Sequence, residues 1–295
     1  MVPSRLDKYM SDATSLSRSQ IRKAWSDGKI EVCVGGEVEA RVIALDTLIF
    51  EEDQVFFEQT RVERRVPSVY AAFCKPMGVI SSARREKGQR SLAPWLEELG
   101  EGVFPIGRLE QDTVGLMLLT DDGDLSHVMT QPDVSLVYKY RVHVDLERAQ
   151  QDEIVTQLSA GVELSRELRV IPVNVAVSEV VAPRCVIEIE IEESRSKQIR
   201  SMCHVLGLVV QELHRVAIGP IGLGDMIEGD VRRLGDEEVT ELWRLCGGRA
   251  RVRERRCMAL ARLARKHRDE GEPHERLESW LEKQGISFDE GLEGE

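Results

Sequence analysis

The sequence has no uninterrupted apolar run approaching the about 18 residues that a membrane-spanning helix needs, so no bilayer crossing is expected. It opens Met1-Val-Pro-Ser-Arg-Leu-Asp7, without the basic start and apolar stretch of a secretory leader, and no export is expected. It lacks any Cys-x-x-Cys pair. The six cysteines, at positions 33, 74, 185, 203, 246 and 257, are scattered. Neither a zinc site nor a disulfide framework is therefore expected; the thiols read as core-filling and the setting as a reducing cytoplasm. Aromatic residues are scarce at 5%, which counts against a carbohydrate cleft, where rings stack on sugar. Net positive charge is also missing: 40 Lys and Arg against 52 Asp and Glu leave −12.

What is present is a globular chain. At 295 residues it has room for two domains, and 42% hydrophobic with 31% charged residues excludes disorder as its general state. The acidic balance is not uniform. Residues 1–30 carry six basic side chains against three acidic ones, and 31–66 carry four against nine. Residues 249–268 carry nine basic against one acidic, and 269–295 two against ten. A polyanion responds to the local face it meets, not to the global sum, so RNA binding stays open.

Along the chain, residues 5–58 read as a small domain. A short helix begins near Arg5 with Leu6, Tyr9 and Met10 on one face. Ser17 followed by Gln20 has capping-box spacing, and the helix after it turns Ile21, Ala24 and Trp25 inward, with Arg18 and Arg22 on another face. Gly28 is a helix stop. Residues 30–34 and 37–40 around Gly35-Gly36 predict a hairpin, and Gln54–Phe57 a closing strand. Residues 60–68, ending in Pro67-Ser68, are a linker. Beyond it, strands are expected at Val69–Cys74, at the wholly apolar Leu116–Leu119, at Tyr138–Val144 and at Arg184–Ile191, the last alternating with Cys185, Ile187, Ile189 and Ile191 on one face. Asp121-Asp-Gly123 reads as a turn. Ile199, Met202, Cys203 and Leu206 put an amphipathic helix over 196–206, leaving Lys197, Arg200 and His204 off the apolar stripe. Strands in runs with few helices predict an α+β fold with a mixed or antiparallel sheet. From 241 on, a basic helix over 249–268 and an acidic one over 275–283 form a helical extension. The expected divisions are 1–60, 69–240 and 241–295.

Gly107-Arg-Leu-Glu-Gln-Asp-Thr-Val-Gly-Leu-Met-Leu-Leu-Thr-Asp-Asp-Gly123 resembles the signature of the RsuA-type ribosomal RNA pseudouridine synthases. Four further stretches match in the family's order: Phe73-Cys-Lys-Pro-Met-Gly78, Tyr138-Lys-Tyr-Arg-Val142, Glu193-Ser-Arg-Ser-Lys-Gln-Ile-Arg-Ser-Met202 and Leu213-His-Arg-Val-Ala-Ile-Gly-Pro220. Residues 5–58 resemble the small RNA-binding domain of a small-subunit ribosomal protein. Together these cover about 5–240.

The resemblance implies isomerisation of uridine in ribosomal RNA, without cofactor or metal. A flipped nucleotide reaches a pocket, where one ionised carboxylate acts on its sugar as nucleophile or base. Buried, that carboxylate needs a positive partner or its pKa rises. The family's aspartate aligns with Glu110, one methylene longer. Three readings stay open: Glu110 is a re-accommodated carboxylate, Asp112 has taken its place, or the protein is a catalytically impaired RNA binder. A glycoside hydrolase using Glu110 with Asp112 is a distant fourth. Arg200 matches the arginine that pairs with the carboxylate, against the alternative of a solvated helix charge. Tyr140 matches the tyrosine that stacks on the base, against that of an ordinary strand residue. The family lysine two positions earlier is Tyr138 here, and Lys139 should face the other side of its strand. Gly115 reads as a backbone requirement.

Candidate RNA contacts are Arg5, Lys8, Arg18, Arg22 and Lys23 in the first domain and Arg108, Arg195 and Lys197 in the second, all suited to phosphate. The basic 249–268 helix either extends that grip or pairs with the acidic segment after it. His127, His143, His204 and His214 show no metal-ligand spacing in sequence and read as structural. The expected protein is a cytoplasmic monomer with ribosomal RNA as partner and no metal or membrane.

Overall fold

The computed structural model describes residues 2–14, 16–35, 37, 39–85, 87–145, 150–166, 168–181, 184–192, 196–271 and 274–287. It forms two compact units, one of residues up to 65 together with those from 247 on, the other of residues 66–246.

The first unit begins with α1 (Leu6–Ala13), which buries Leu6, Tyr9, Met10 and Ala13. This is the i, i+3, i+4, i+7 stripe of one helical face. Helix α2 (Arg18–Ser26) starts on the expected capping box: the Gln20 amide donates to Ser17 Oγ at 3.4 Å and the Ser17 amide to Gln20 Oε1 at 2.8 Å. Ile21 and Ala24 are buried, and half-buried Trp25 packs on the same core while its indole N–H donates to the Ile43 carbonyl at 2.7 Å. Among the described residues the expected hairpin over 30–40 is not seen. Strand β1 (Ile30–Cys33) pairs instead with β2 (Gln54–Phe57), and only a single bridge, Val32 to Arg41, links it to the segment between. Burial explains the choice. Val55 lies opposite Val32 and Phe57 opposite Ile30, whereas Glu37 and Glu39 would put charge on the apolar face. Gly36 and Val38 of that segment lie outside the described residues. Strand β3 (Thr60–Val62) continues from β2.

The second unit is built on β4 (Tyr70–Lys75), β5 (Phe104–Ile106), β6 (Val114–Thr120), β7 (Tyr138–Asp145), β8 (Asn174–Val181), β9 (Arg184–Ile191), β10 (Val210–Ile218), β11 (Ile221–Gly222) and β12 (Val231–Arg233). These nine strands of the described residues form one sheet in the order β8-β9-β7-β10-β6-β4-β12, with β5 on β6 and β11 on β10. Every pairing is antiparallel except β6 with β10. The sheet is thus mixed, as the runs of strands implied. All seven residues of β6 are buried, as a central strand requires. Helix α3 (Ala93–Leu99) packs Leu96 on Phe73, Met117 and Leu119. The expected turn at 121–123 is the start of α4 (Gly123–Met129). Asp122 caps it, accepting from the amides of Asp124 and Leu125 at 3.0 and 3.1 Å. Helices α5 (Gln151–Ala160), α6 (Ser196–Val205) and α7 (Asp236–Leu245) complete the unit.

The chain then returns to the first unit as α8 (Gly248–Asp269) and α9 (Glu275–Lys283). Leu260, Ala261, Ala264, Leu277 and Leu281 share a core with Leu48 and Phe50. The basic and acidic helices do pair: Arg268 meets Glu278 at 2.8 Å. Arg276 lies over the Phe50 ring and reaches buried Asp53 at 2.7 Å. Among the described residues no helix is long and apolar enough to cross a membrane. The six cysteines are buried and free.

Candidate active site

Glu110 sits on a loop, residues 107–113, between β5 and β6. The segment that follows β4 holds this loop in place. Lys75 is wholly buried, and its ammonium donates to the carbonyls of Pro76 and Val79 at 2.9 Å and of Gln111 at 3.5 Å. The Gly78 amide donates to Gln111 O at 2.8 Å, and Gln111 Nε2 returns a bond to Gly78 O at 3.1 Å. Ser81 Oγ accepts from the Leu109 amide at 3.0 Å and donates to its carbonyl at 2.6 Å. Burial pushes the Lys75 pKa down to about 8. The lysine of the Lys75-Pro-Met-Gly78 match is therefore an organiser of the loop that carries Glu110. The resemblance at Phe73–Gly78 implied no such role for Lys75.

Across from the loop, Arg200 projects from α6. Its Nε lies 3.9 Å from Glu110 Oε2, within ion-pair range but beyond hydrogen-bond reach. Its Nη2 lies 3.2 Å from Asp112 Oδ2 and donates to the Asp112 carbonyl at 2.9 Å. One guanidinium thus faces both carboxylates that the sequence left in contention. They differ in setting: the Glu110 side chain is 22% exposed and that of Asp112 62%.

Tyr140 lies on β7, directly opposite Arg215 of β10, which in turn lies opposite Gly115 of β6. Its ring is fully buried and its hydroxyl has no hydrogen-bond partner. Leaving such a group unsatisfied costs about 1–3 kcal/mol. No hydrogen bond or ion pair joins Tyr140 to Glu110 or Arg200 among the described residues. Arg215 is buried, donates through Nε to Leu116 O at 2.7 Å, and carries its guanidinium 5.7 Å from the Tyr138 ring centre. The strand match 213–220 contained this arginine, but nothing in sequence said it would be buried. Lys139 does face away, pairing with Glu188 at 2.6 Å and Glu190 at 3.6 Å.

At Gly115, β6 and β10 approach each other closely. Its φ is +114°, and a Cβ there would fall 2.2 Å from the Arg215 carbonyl oxygen. Only glycine allows this approach.

A cleft of about 300 Å³ opens beside these residues, lined by Arg108, Tyr138, Glu192 and Arg215 among others. Arg108 and Tyr138 each precede a candidate catalytic residue by two positions. Glu110, Tyr140 and Arg200 themselves are not part of its wall.

A family model described as RNA pseudouridylate synthase matches residues 69–205. "Ribosomal small subunit pseudouridine synthase A" of Vibrio parahaemolyticus is 36% identical over 248 residues, covering 81% of this chain and 99% of that protein. The chain belongs to the RNA pseudouridylate synthase family. "Ribosomal large subunit pseudouridine synthase B" of Bacillus subtilis is 30% identical over 240 residues, covering 81% of this chain and 95% of that protein. A solved pseudouridylate synthase superposes with a TM-score of 0.54 at 27% identity, covering 81% of this chain and 99% of that one. For an RNA pseudouridylate synthase, the mixed sheet and the motif order are as the sequence implied.

The candidate RNA contacts divide by setting. In the first unit Arg5 pairs with Asp7 at 3.1 Å and Lys8 with Asp12 at 2.6 Å. Arg18, Arg22 and Lys23 are exposed on α2, with no ion pair among the described residues. In the second unit Arg108 is exposed at the cleft and Lys197 is exposed on α6, while Arg195 lies outside the described residues.

Proposed function

We propose that this RNA pseudouridylate synthase acts on a uridine of ribosomal RNA, with Glu110 as the carboxylate that attends the sugar. The observation that carries the assignment is Arg200, held 3.9 Å from Glu110 over a clamped loop. Arg200 sets a positive charge beside the carboxylate that either route, nucleophile or base, would use. Isomerisation conserves the atoms of the base: the C1′–N1 bond breaks, C1′–C5 forms, C5 gives up its proton and N1 gains one. Arg108 stands at the cleft mouth, where phosphate would pass.

Asp112 supports a second assignment, because it is nearer to Arg200 than Glu110 is. Its high exposure and its carbonyl bond to the same guanidinium instead suit a residue that orients Arg200. The deciding experiment incubates the protein with unmodified transcripts of both ribosomal subunits and maps pseudouridine at nucleotide resolution. The two named relatives differ in subunit, so both transcripts are needed. Product that persists in Asp112→Asn keeps Glu110 as the carboxylate; loss there, with product retained in Glu110→Ala, reverses the assignment.

On α2, Arg18, Arg22 and Lys23 would grip phosphates without reading sequence. Replacing Arg18 and Arg22 by alanine is expected to weaken binding to all RNA sequences alike and to flatten the plot of log affinity against log salt by about 1.4, the value for two lost single-strand phosphate contacts. An unchanged slope removes α2 from the interface.

A further inference from the structure

The reverse face of the sheet carries a constellation that the spacing along the chain concealed. Along β7, burial alternates, with Tyr138, Tyr140, Val142 and Val144 inward and Lys139, Arg141 and His143 on the opposite face. On β10, Leu213 and Arg215 face inward, so Glu212 and His214 share the face of His143. The register sets His143 opposite Glu212 and Arg141 opposite His214, which makes the two histidines diagonal neighbours. Their ring centres lie 5.2 Å apart. One potential ligand atom from each of His143, Glu212 and His214 lies within 4.8 Å of the other two.

These distances have a chemical meaning. Two ligands bound tetrahedrally at about 2.0–2.1 Å from a zinc ion stand about 3.3–3.4 Å from each other. His214 Nε2 and Glu212 Oε2 are already 3.3 Å apart. His143 offers a ring nitrogen within 4.8 Å of both. Two imidazoles and a carboxylate are a donor set that favours zinc and similar divalent transition metals over calcium or magnesium, which prefer oxygen alone. The neighbouring Arg141 guanidinium is engaged elsewhere, bonding Glu188 at 3.1 Å, and so does not fill the gap.

We propose that His143, Glu212 and His214 bind one zinc-type divalent metal ion, which clasps β7 to β10. The clasp falls beside the register shift between His143 and Val144. It lies on the face of these strands opposite Tyr140 and Arg215, so the ion stands apart from the chemistry assigned to Glu110. Its place is structural.

The test uses the full-length protein stripped of metal and titrated calorimetrically with zinc chloride, with cobalt(II) as a spectroscopic probe. One equivalent of zinc is expected to bind and to raise the melting temperature. The cobalt spectrum should show nitrogen and oxygen ligation without thiolate charge transfer. His143→Gln and His214→Gln should each weaken zinc binding by at least about 10-fold. Glu212→Gln, an isosteric change at an exposed position, should do the same in a protein whose metal-free melting temperature is unchanged. Absence of saturable binding, a stoichiometry unaffected by the double histidine variant, or thiolate bands in the cobalt spectrum would overturn the proposal.

Discussion

Glu110→Ala is expected to lower pseudouridine formation by about 10²–10⁴-fold or more, the contribution of a positioned acid–base group, while RNA binding holds. The loop that carries Glu110 is fastened by Lys75, Gly78 and Ser81 through main-chain carbonyls and amides, so removing the side chain at 110 leaves its folding bonds intact. Arg200 keeps its bonds to Asp112. The loss should therefore appear in the chemical step and not in affinity, measured by single-turnover formation of pseudouridine beside a filter-binding isotherm. Glu110→Gln should match alanine, since it keeps the shape and removes the charge. Glu110→Asp reads the extra methylene directly: a misplacement of about 1 Å can cost about 10²-fold. A native chain that makes no product on either transcript, paired with a gain in the aspartate variant, would show an impaired site.

Gly115→Ala is expected to destabilise the second unit by about 2–5 kcal/mol. The added Cβ would lie 2.2 Å from the Arg215 carbonyl oxygen and 2.8 Å from its amide nitrogen. Both are backbone atoms, so relief requires moving β6 from β10. Overpacking of that kind costs about 1–3 kcal/mol, and the left-handed backbone adds about 1–2. At about 2–4 °C per kcal/mol for a unit of this size, the melting temperature should fall by about 4–20 °C. Gly207→Ala separates the two causes. Its φ is +74° but nothing lies within 4 Å of its Cβ, so only the backbone penalty remains. Equal losses at the two sites would show that the strands' close approach is not what Gly115 serves.

Much of this was legible in the chain. Periodicity gave α1, α2, β7, β9 and α6 because each buries one face, and burial writes a 3.6- or 2-residue rhythm; β6, buried on both faces, showed instead as an unbroken apolar run. The hairpin at 30–40 misled because local turn residues said nothing of Val55 and Phe57, the better partners beyond it. The turn at 121–123 misled for a related reason. Asp122 serves equally in a turn or a helix cap, and only the buried Leu125 and Val128 beyond it decide. For the candidate site, motif order singled out Glu110, Tyr140 and Arg200. What it did not show was contact across strands. The burial of Lys75, the alignment of Tyr140, Arg215 and Gly115, and the meeting of His143 with Glu212 and His214 all depend on register, which no linear spacing contains. The four histidines looked unrelated in sequence because two of them meet only through a pair of neighbouring strands.

The shared core of Leu48 and Phe50 with Leu260, Ala261, Leu277 and Leu281 sets an order on synthesis. A ribosome delivers the buried α8 members of this core, Leu260, Ala261 and Ala264, about 210 residues after Phe50 itself. Until then those apolar side chains are unsheltered, and the whole sheet of the second unit emerges in between. Domains that are contiguous in sequence can fold as they appear; this first unit cannot finish until the last helices leave the exit tunnel. The nascent chain therefore completes the machinery for isomerisation before the module that includes α2, and a chain stopped at residue 246 would carry an exposed greasy seam as a mark for proteolysis.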